Sequence, residues 1–134
     1  MMDIPHIILI ADRNPHIREF LRRELISLGC TVRLAENGKD LLKQVYSSKQ
    51  VDLLIFDPDF PGMEPTDSFR KILDRIPQLP VVLYCVRGTD NIEDYAGGNV
   101  RLVEKNGQSI EVLKKTIQTI LSGVPVHSSA QRQG

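Results

Sequence analysis

Five short apolar runs recur along the chain, each separated from the next by enough residues for a helix. They are Ile7-Ile8-Leu9-Ile10-Ala11, Thr31-Val32-Arg33-Leu34-Ala35, Leu53-Leu54-Ile55-Phe56, Val81-Val82-Leu83-Tyr84-Cys85-Val86 and Val100-Arg101-Leu102-Val103. Antiparallel neighbours can be joined by a tight turn, whereas parallel strands need a crossover of a dozen or more residues. The spacing therefore predicts a βαβαβαβαβα chain: an α/β, doubly wound, five-stranded parallel sheet covered by helices on both faces. Runs one, three and four are almost continuously apolar, as strands buried on both faces must be. Runs two and five contain Arg33 and Arg101, which suits edges. The predicted strand order is 2-1-3-4-5.

The intervening stretches carry helix signals. Asn14 is a good N-cap and Pro15 fits the first helical position. Ile17, Phe20, Leu21, Leu25 and Leu28 follow at helical spacing up to Gly29, a natural stop. Asn37 caps a second helix with Leu41, Leu42 and Val45 inside. A third helix is predicted from Pro65 to Arg75, with Phe69, Ile72 and Leu73 inside. Between Arg87 and Asn99 the pattern is thin, with Ile92, Tyr95 and Ala96 as the anchors of a helix that Gly97-Gly98 would end. Ile110, Leu113, Ile117, Ile120 and Leu121 mark the last helix. One domain over residues 1–123 is expected, with 124–134 a flexible polar tail or the start of a linker.

Composition narrows the function. The 17 Lys and Arg balance the 17 Asp and Glu, so no field draws in nucleic acid or an anionic membrane. Three Tyr, four Phe and no Trp make a base-stacking surface an unfavoured reading. No apolar run approaches the length of a membrane span, and Met1-Met2-Asp3-Ile4-Pro5-His6 lacks the pattern of a signal peptide. Cys30 and Cys85 stand in no metal or redox spacing and read as reduced thiols, so a cytoplasmic location is expected.

In a parallel sheet all strands end on one side, and ligands collect there. Just past those ends come Asp12 and Arg13, then Asp57, Cys85 and Lys105. Two acids and a lysine brought together suit a phosphate or a Mg²⁺ site, because an ammonium neutralises phosphoryl oxygens and Mg²⁺ takes one or two carboxylates. The plainer reading is that they are ordinary loop charges at the ends of apolar strands.

The segments Ile8-Leu9-Ile10-Ala11-Asp12 and Asn14-Pro15-His16-Ile17-Arg18 resemble the opening of a response-regulator receiver domain of two-component signalling. Leu53-Leu54-Ile55-Phe56-Asp57 followed by Pro61-Gly62-Met63 resembles its phosphorylation segment. Leu79-Pro80-Val81-Val82-Leu83 and Leu102-Val103-Glu104-Lys105 resemble its fourth and fifth strands. The resemblance spans about residues 6–121 and implies a flavodoxin-like (βα)5 fold and a part in phosphorelay signal transduction rather than substrate turnover. It implies that Asp57 accepts a phosphoryl group from a histidine kinase, a phosphotransfer protein or a small donor. It further implies that Asp12, Asp57 and the backbone carbonyl of Asp59 hold Mg²⁺, and that Lys105 pairs with the aspartate or its phosphate.

The chain departs from that pattern at four positions. Arg13 stands where the family has a second metal-binding acid; it either points into solvent or competes with Mg²⁺ for Asp57. Cys85 replaces the hydroxyl residue that donates to the phosphoryl group, and reads best as a small buried hydrophobe. Leu102 replaces the aromatic switch residue. Asn106 follows Lys105 where the family has proline, so a trans peptide and a shifted loop are expected. These departures support an alternative, a phosphorylation-independent pseudo-receiver that acts as a protein-interaction module. A flavin or nucleotide binder is disfavoured because Asp12-Arg13-Asn14-Pro15 lacks a phosphate-cradling glycine pattern. His16, His6 and His127 read as surface or terminal residues, Glu64 as a helix-start charge and Lys114-Lys115 as a solvated face. An output surface is expected on helix one, with Arg18, Arg22 and Arg23, or on the last helix. The output partner and homodimer formation stay open.

Overall fold

The structure is a computed structural model that describes residues 6–47, 50–60, 62, 65–86 and 99–123. In chain order the elements are β1 (Ile7–Ala11), α1 (Pro15–Ile26), β2 (Thr31–Ala35), α2 (Gly38–Tyr46), β3 (Leu53–Phe56), α3 (Pro65–Arg75), β4 (Pro80–Cys85), β5 (Asn99–Glu104) and α4 (Ser109–Gly123). The five strands form one parallel sheet in the order β2-β1-β3-β4-β5. Both the class and the order agree with the pattern of apolar runs, and the reason is burial. β3 and β4 are buried at every residue, and β1 at all but Ile7, whereas β2 is buried only at Ala35 and β5 only at Val103.

Successive side chains of each strand point to opposite faces, and the helices divide accordingly. On one face Leu9, Ala11, Leu54, Phe56, Val81 and Leu83 meet Leu41 and Val45 of α2 and Phe69 and Ile72 of α3. On the other, Ile8, Ile10, Leu53, Ile55, Val82 and Tyr84 meet Leu21 and Leu25 of α1 and Leu113 and Ile117 of α4. Each fully buried aliphatic side chain contributes about 1.5–3 kcal/mol relative to leaving it in water. Local signals fix the helix starts. Asn14 Oδ1 accepts from the backbone of His16 and Ile17, and Asn37 Oδ1 accepts from that of Asp40. Gly29 adopts φ 90° just beyond α1, the left-handed conformation glycine permits.

Two details differ from the sequence reading. Phe20, expected on the inner face of α1, is 40% exposed. At 3.6 residues per turn, Ile17, Leu21, Leu25 and Leu28 form one stripe, and Phe20 falls roughly 100° from its centre. The fourth strand ends at Cys85, leaving Val86 exposed. The helix expected between Arg87 and Asn99 is outside the described residues apart from Asn99, which opens β5. Pro61, Met63, Glu64, His127 and the expected tail 124–134 are also outside them.

Candidate functional site

The parallel ladder places three charged side chains together by continuing one residue past the strands. The backbone N–H of Asp57 donates to the Ala11 carbonyl at 2.9 Å, and that of Lys105 to the Cys85 carbonyl at 2.7 Å. Asp12, the first residue after β1, is 1% exposed and Asp57 2% exposed. Lys105 Nζ lies 2.8 Å from Asp12 Oδ2 and 3.3 Å from Asp57 Oδ2. The second contact is a hydrogen bond; the first is an ion pair without hydrogen-bond alignment, so Asp12 Oδ2 is buried without an aligned donor.

Backbone groups hold the carboxylates in place. Asn14 N–H donates to Asp12 Oδ1 at 2.9 Å, and Asp59 N–H donates to Asp57 Oδ1 at 2.9 Å. Both are local turns of the kind that Asp favours. Burying an anion is unfavourable unless it is paired and hydrogen-bonded, and these two share one ammonium. Burial by itself would lower the pKa of Lys105. The close contact and charge of Asp12, then Asp57, outweigh it and raise that pKa, so the ammonium stays protonated through neutral pH.

Arg13 flanks the outer side. Its Nε is 3.9 Å from Asp57 Oδ2 and its Nη2 3.9 Å from Asp59 Oδ2, while the side chain remains 57% exposed. It therefore neither points wholly away nor seals the site. The Asp59 side chain is also 57% exposed, and its backbone N–H is what reaches Asp57. Cys85 is buried and Leu102 is 53% exposed. Neither cysteine forms a disulfide. No peptide bond among the described residues is cis, so the bond before Asn106 is trans. Asn106 Oδ1 accepts from Gln108 N–H at 2.9 Å, and its carbonyl accepts from Ser109 N–H at 3.1 Å, which leads the chain into α4.

Two residues around the site escaped the sequence reading. Arg18, grouped with the outward arginines of α1, turns back and donates from Nη1 to the Asp12 carbonyl at 2.7 Å. Tyr84 lies with its ring 5.4 Å below Lys105 Nζ, and its hydroxyl is 2.6 Å from Ser109 Oγ. The available signal was slight: one aromatic side chain in an otherwise aliphatic strand.

Among the described residues, no group of three or more His, Cys, Asp and Glu side chains gathers as a metal cluster. The donor chemistry still suits Mg²⁺, which takes one or two carboxylates and completes its shell with water and phosphate oxygens. Asp12 and Asp57 supply two, and Asp12 Oδ2, which meets the Lys105 ammonium at 2.8 Å, has a second lone pair for a further partner.

A family model described as the response regulator receiver domain matches residues 8–118. The chain belongs to this family. Receiver domains are modules of two-component signalling rather than turnover enzymes, and the sheet order seen here is theirs. This receiver domain is similar to DNA-binding transcriptional regulator NtrC of Escherichia coli (strain K12), 35% identical over 77 residues, 58% of this chain and 16% of that protein. It is 30% identical over 91 residues to response regulator MprA of Mycobacterium ulcerans, 68% of this chain and 38% of that protein. The chain thus spans well under half the length of these relatives. Among solved structures, response regulator protein TrrA of Thermotoga maritima, in complex with Mg(2+)-BeF, matches with TM-score 0.76 at 26% identity, over 86% of this chain and 98% of that one. TrrA in complex with histidine kinase ThkA matches with TM-score 0.75 at 26% identity, over 87% of this chain and 98% of that one. No helix among the described residues is long and apolar enough to cross a membrane.

Proposed function

We propose that this receiver domain accepts a phosphoryl group on Asp57 and does so with weakened Mg²⁺ binding. The observation that carries the reading is the buried Asp57 carboxylate, held by Asp59 N–H on one oxygen and by Lys105 on the other. In the transfer, a carboxylate oxygen of Asp57 forms a bond to phosphorus, giving an acyl phosphate. The bond from phosphorus to the donor breaks, and its electron pair leaves with the imidazole or the small-molecule carboxylate. Lys105 offsets the charge that accumulates on the phosphoryl oxygens, already in place before the donor arrives. Asp12, Asp57 and the Asp59 carbonyl would hold Mg²⁺, which would supply further neutralisation of the same oxygens. Arg13 weakens that binding by placing a positive charge where the family has an acid.

The donor fitted to this site is the phosphohistidine of a kinase or phosphotransfer protein in the cytoplasm, in keeping with the TrrA–ThkA pair. The unit that folds around it is residues 1–123, with 124–134 as tail or linker. Incubation with acetyl phosphate and Mg²⁺ is expected to add the mass of one phosphoryl group to the chain and none to Asp57→Ala. An unmodified wild type under saturating donor overturns the reading.

A second reading, a pseudo-receiver that binds its partner without phosphorylation, is favoured by Arg13 near Asp57 and by the buried thiol of Cys85 in place of a hydroxyl. It requires Asp57→Ala to bind the output partner as the wild type does. Loss of binding in that variant removes it.

A further inference from the structure

We propose that Tyr84 is the positioning residue for Lys105: its ring supports the ammonium from below, and its hydroxyl ties that support to the first residue of α4. This rests on the proposed acceptor role of Asp57 for its functional consequence, but not for its geometry.

Lys105 has a long, flexible stem, and an ammonium shared by two carboxylates has no fixed direction of its own. A third contact on a different side is needed to hold it between them. Tyr84 supplies it, with Lys105 Nζ 5.4 Å from the ring centroid. A cation over an aromatic face is attracted by the negative face of the ring, more strongly when both are withdrawn from water. Here the Lys105 side chain is 14% exposed and Tyr84 5%.

The ring is itself anchored. Tyr84 and Ser109 are both buried, and their oxygens lie 2.6 Å apart. Ser109 Oγ also reaches the Asn106 carbonyl, at 2.9 Å. A closed path therefore runs from Lys105 Nζ to the Tyr84 ring, through its hydroxyl to Ser109, then to Asn106 and back along the chain to Lys105. Lys105 is the one charged member of this path, and the other core residues of β4 are aliphatic apart from Cys85. The polar hydroxyl and the π-face are what an ordinary core position does not need.

The test is the proton NMR position of the Lys105 ε-methylene, assigned by its loss in Lys105→Arg. Held over a ring face, these protons are expected upfield of the other lysines in the wild type. The upfield position persists in Tyr84→Phe, which keeps the ring, and vanishes in Tyr84→Leu. The rate of phosphoryl uptake from acetyl phosphate falls about fivefold in Tyr84→Leu and stays within about twofold of wild type in Tyr84→Phe. An ordinary lysine position in the wild type overturns the proposal even if Tyr84→Leu fails to fold. So does an unchanged upfield position in a folded Tyr84→Leu. Absence of phosphoryl uptake in the wild type counts against the acceptor role of Asp57, and the NMR result still decides the role of Tyr84.

Discussion

Lys105 is the residue on which the charged basin depends most. Replacing it with Met leaves Asp12 and Asp57 buried beside each other without their shared cation. Removing one partner of a buried ion pair costs about 3–5 kcal/mol, and the partly exposed Arg13 offsets little of this. Lys105→Met is expected to lower the midpoint of denaturant unfolding, with Lys105→Met/Asp12→Asn recovering part of the loss. The pH dependence follows from the raised pKa of Lys105. The native state holds this proton more tightly than the unfolded chain, so the stabilisation is complete below the unfolded lysine value. It is lost as pH rises through the higher folded value. Thermal scans should show the Lys105 contribution flat across neutral pH and disappearing only on the alkaline side. Arg13 acts in the opposite direction on the metal. Arg13→Asp removes an exposed positive charge, worth about 1 kcal/mol, and adds an oxygen ligand. Mg²⁺ affinity, measured by calorimetric titration, is expected to rise about tenfold or more.

At the level of elements, caps and one close approach set what is tolerated. Asn14→Ala frees the first backbone N–H groups of α1 and should cost about 1 kcal/mol in chemical unfolding. Gly62 has φ 86°, and a Cβ there would stand 3.3 Å from the Gly38 nitrogen at the start of α2. Gly62→Ala combines a left-handed strain with that crowding and is expected to destabilise by about 1–2 kcal/mol. Much of this level was legible beforehand. Alternation and run length gave the sheet order because burial on one face or two leaves a direct mark on composition. Asn14 and Asn37 announced their helices because a cap is a local interaction. Phe20 was misplaced because its spacing of three from Ile17 is helical, yet the 3.6-residue period turns it away from the stripe of Ile17, Leu21, Leu25 and Leu28. Pro65 to Arg75 was read correctly from Phe69, Ile72 and Leu73 at helical spacing.

For the whole molecule, the convergence of Asp12, Asp57 and Lys105 was legible only through topology, since no local motif joins residues so far apart. The resemblance to receiver domains named the same three. Arg18 and Tyr84 stayed hidden for a physical reason. Their partners are a backbone carbonyl and an ammonium supplied by other elements, and neither leaves a periodic trace. Arg13 was read as having two orientations because the charge of a side chain does not fix its rotamer, and the structure places it between them.

Each member of the charged trio is fixed by a strand that pairs with a neighbour distant in sequence; Asp57 and Lys105 alone are 48 residues apart. Closing such long loops is the slow and entropically unfavourable part of building a parallel sheet. The charged site consequently has no independent existence. It melts with the ladder rather than before it, so amide exchange at Asp57 and Lys105 should proceed at the rate of global opening. A partly folded chain, with one pairing missing, lacks the charged basin altogether.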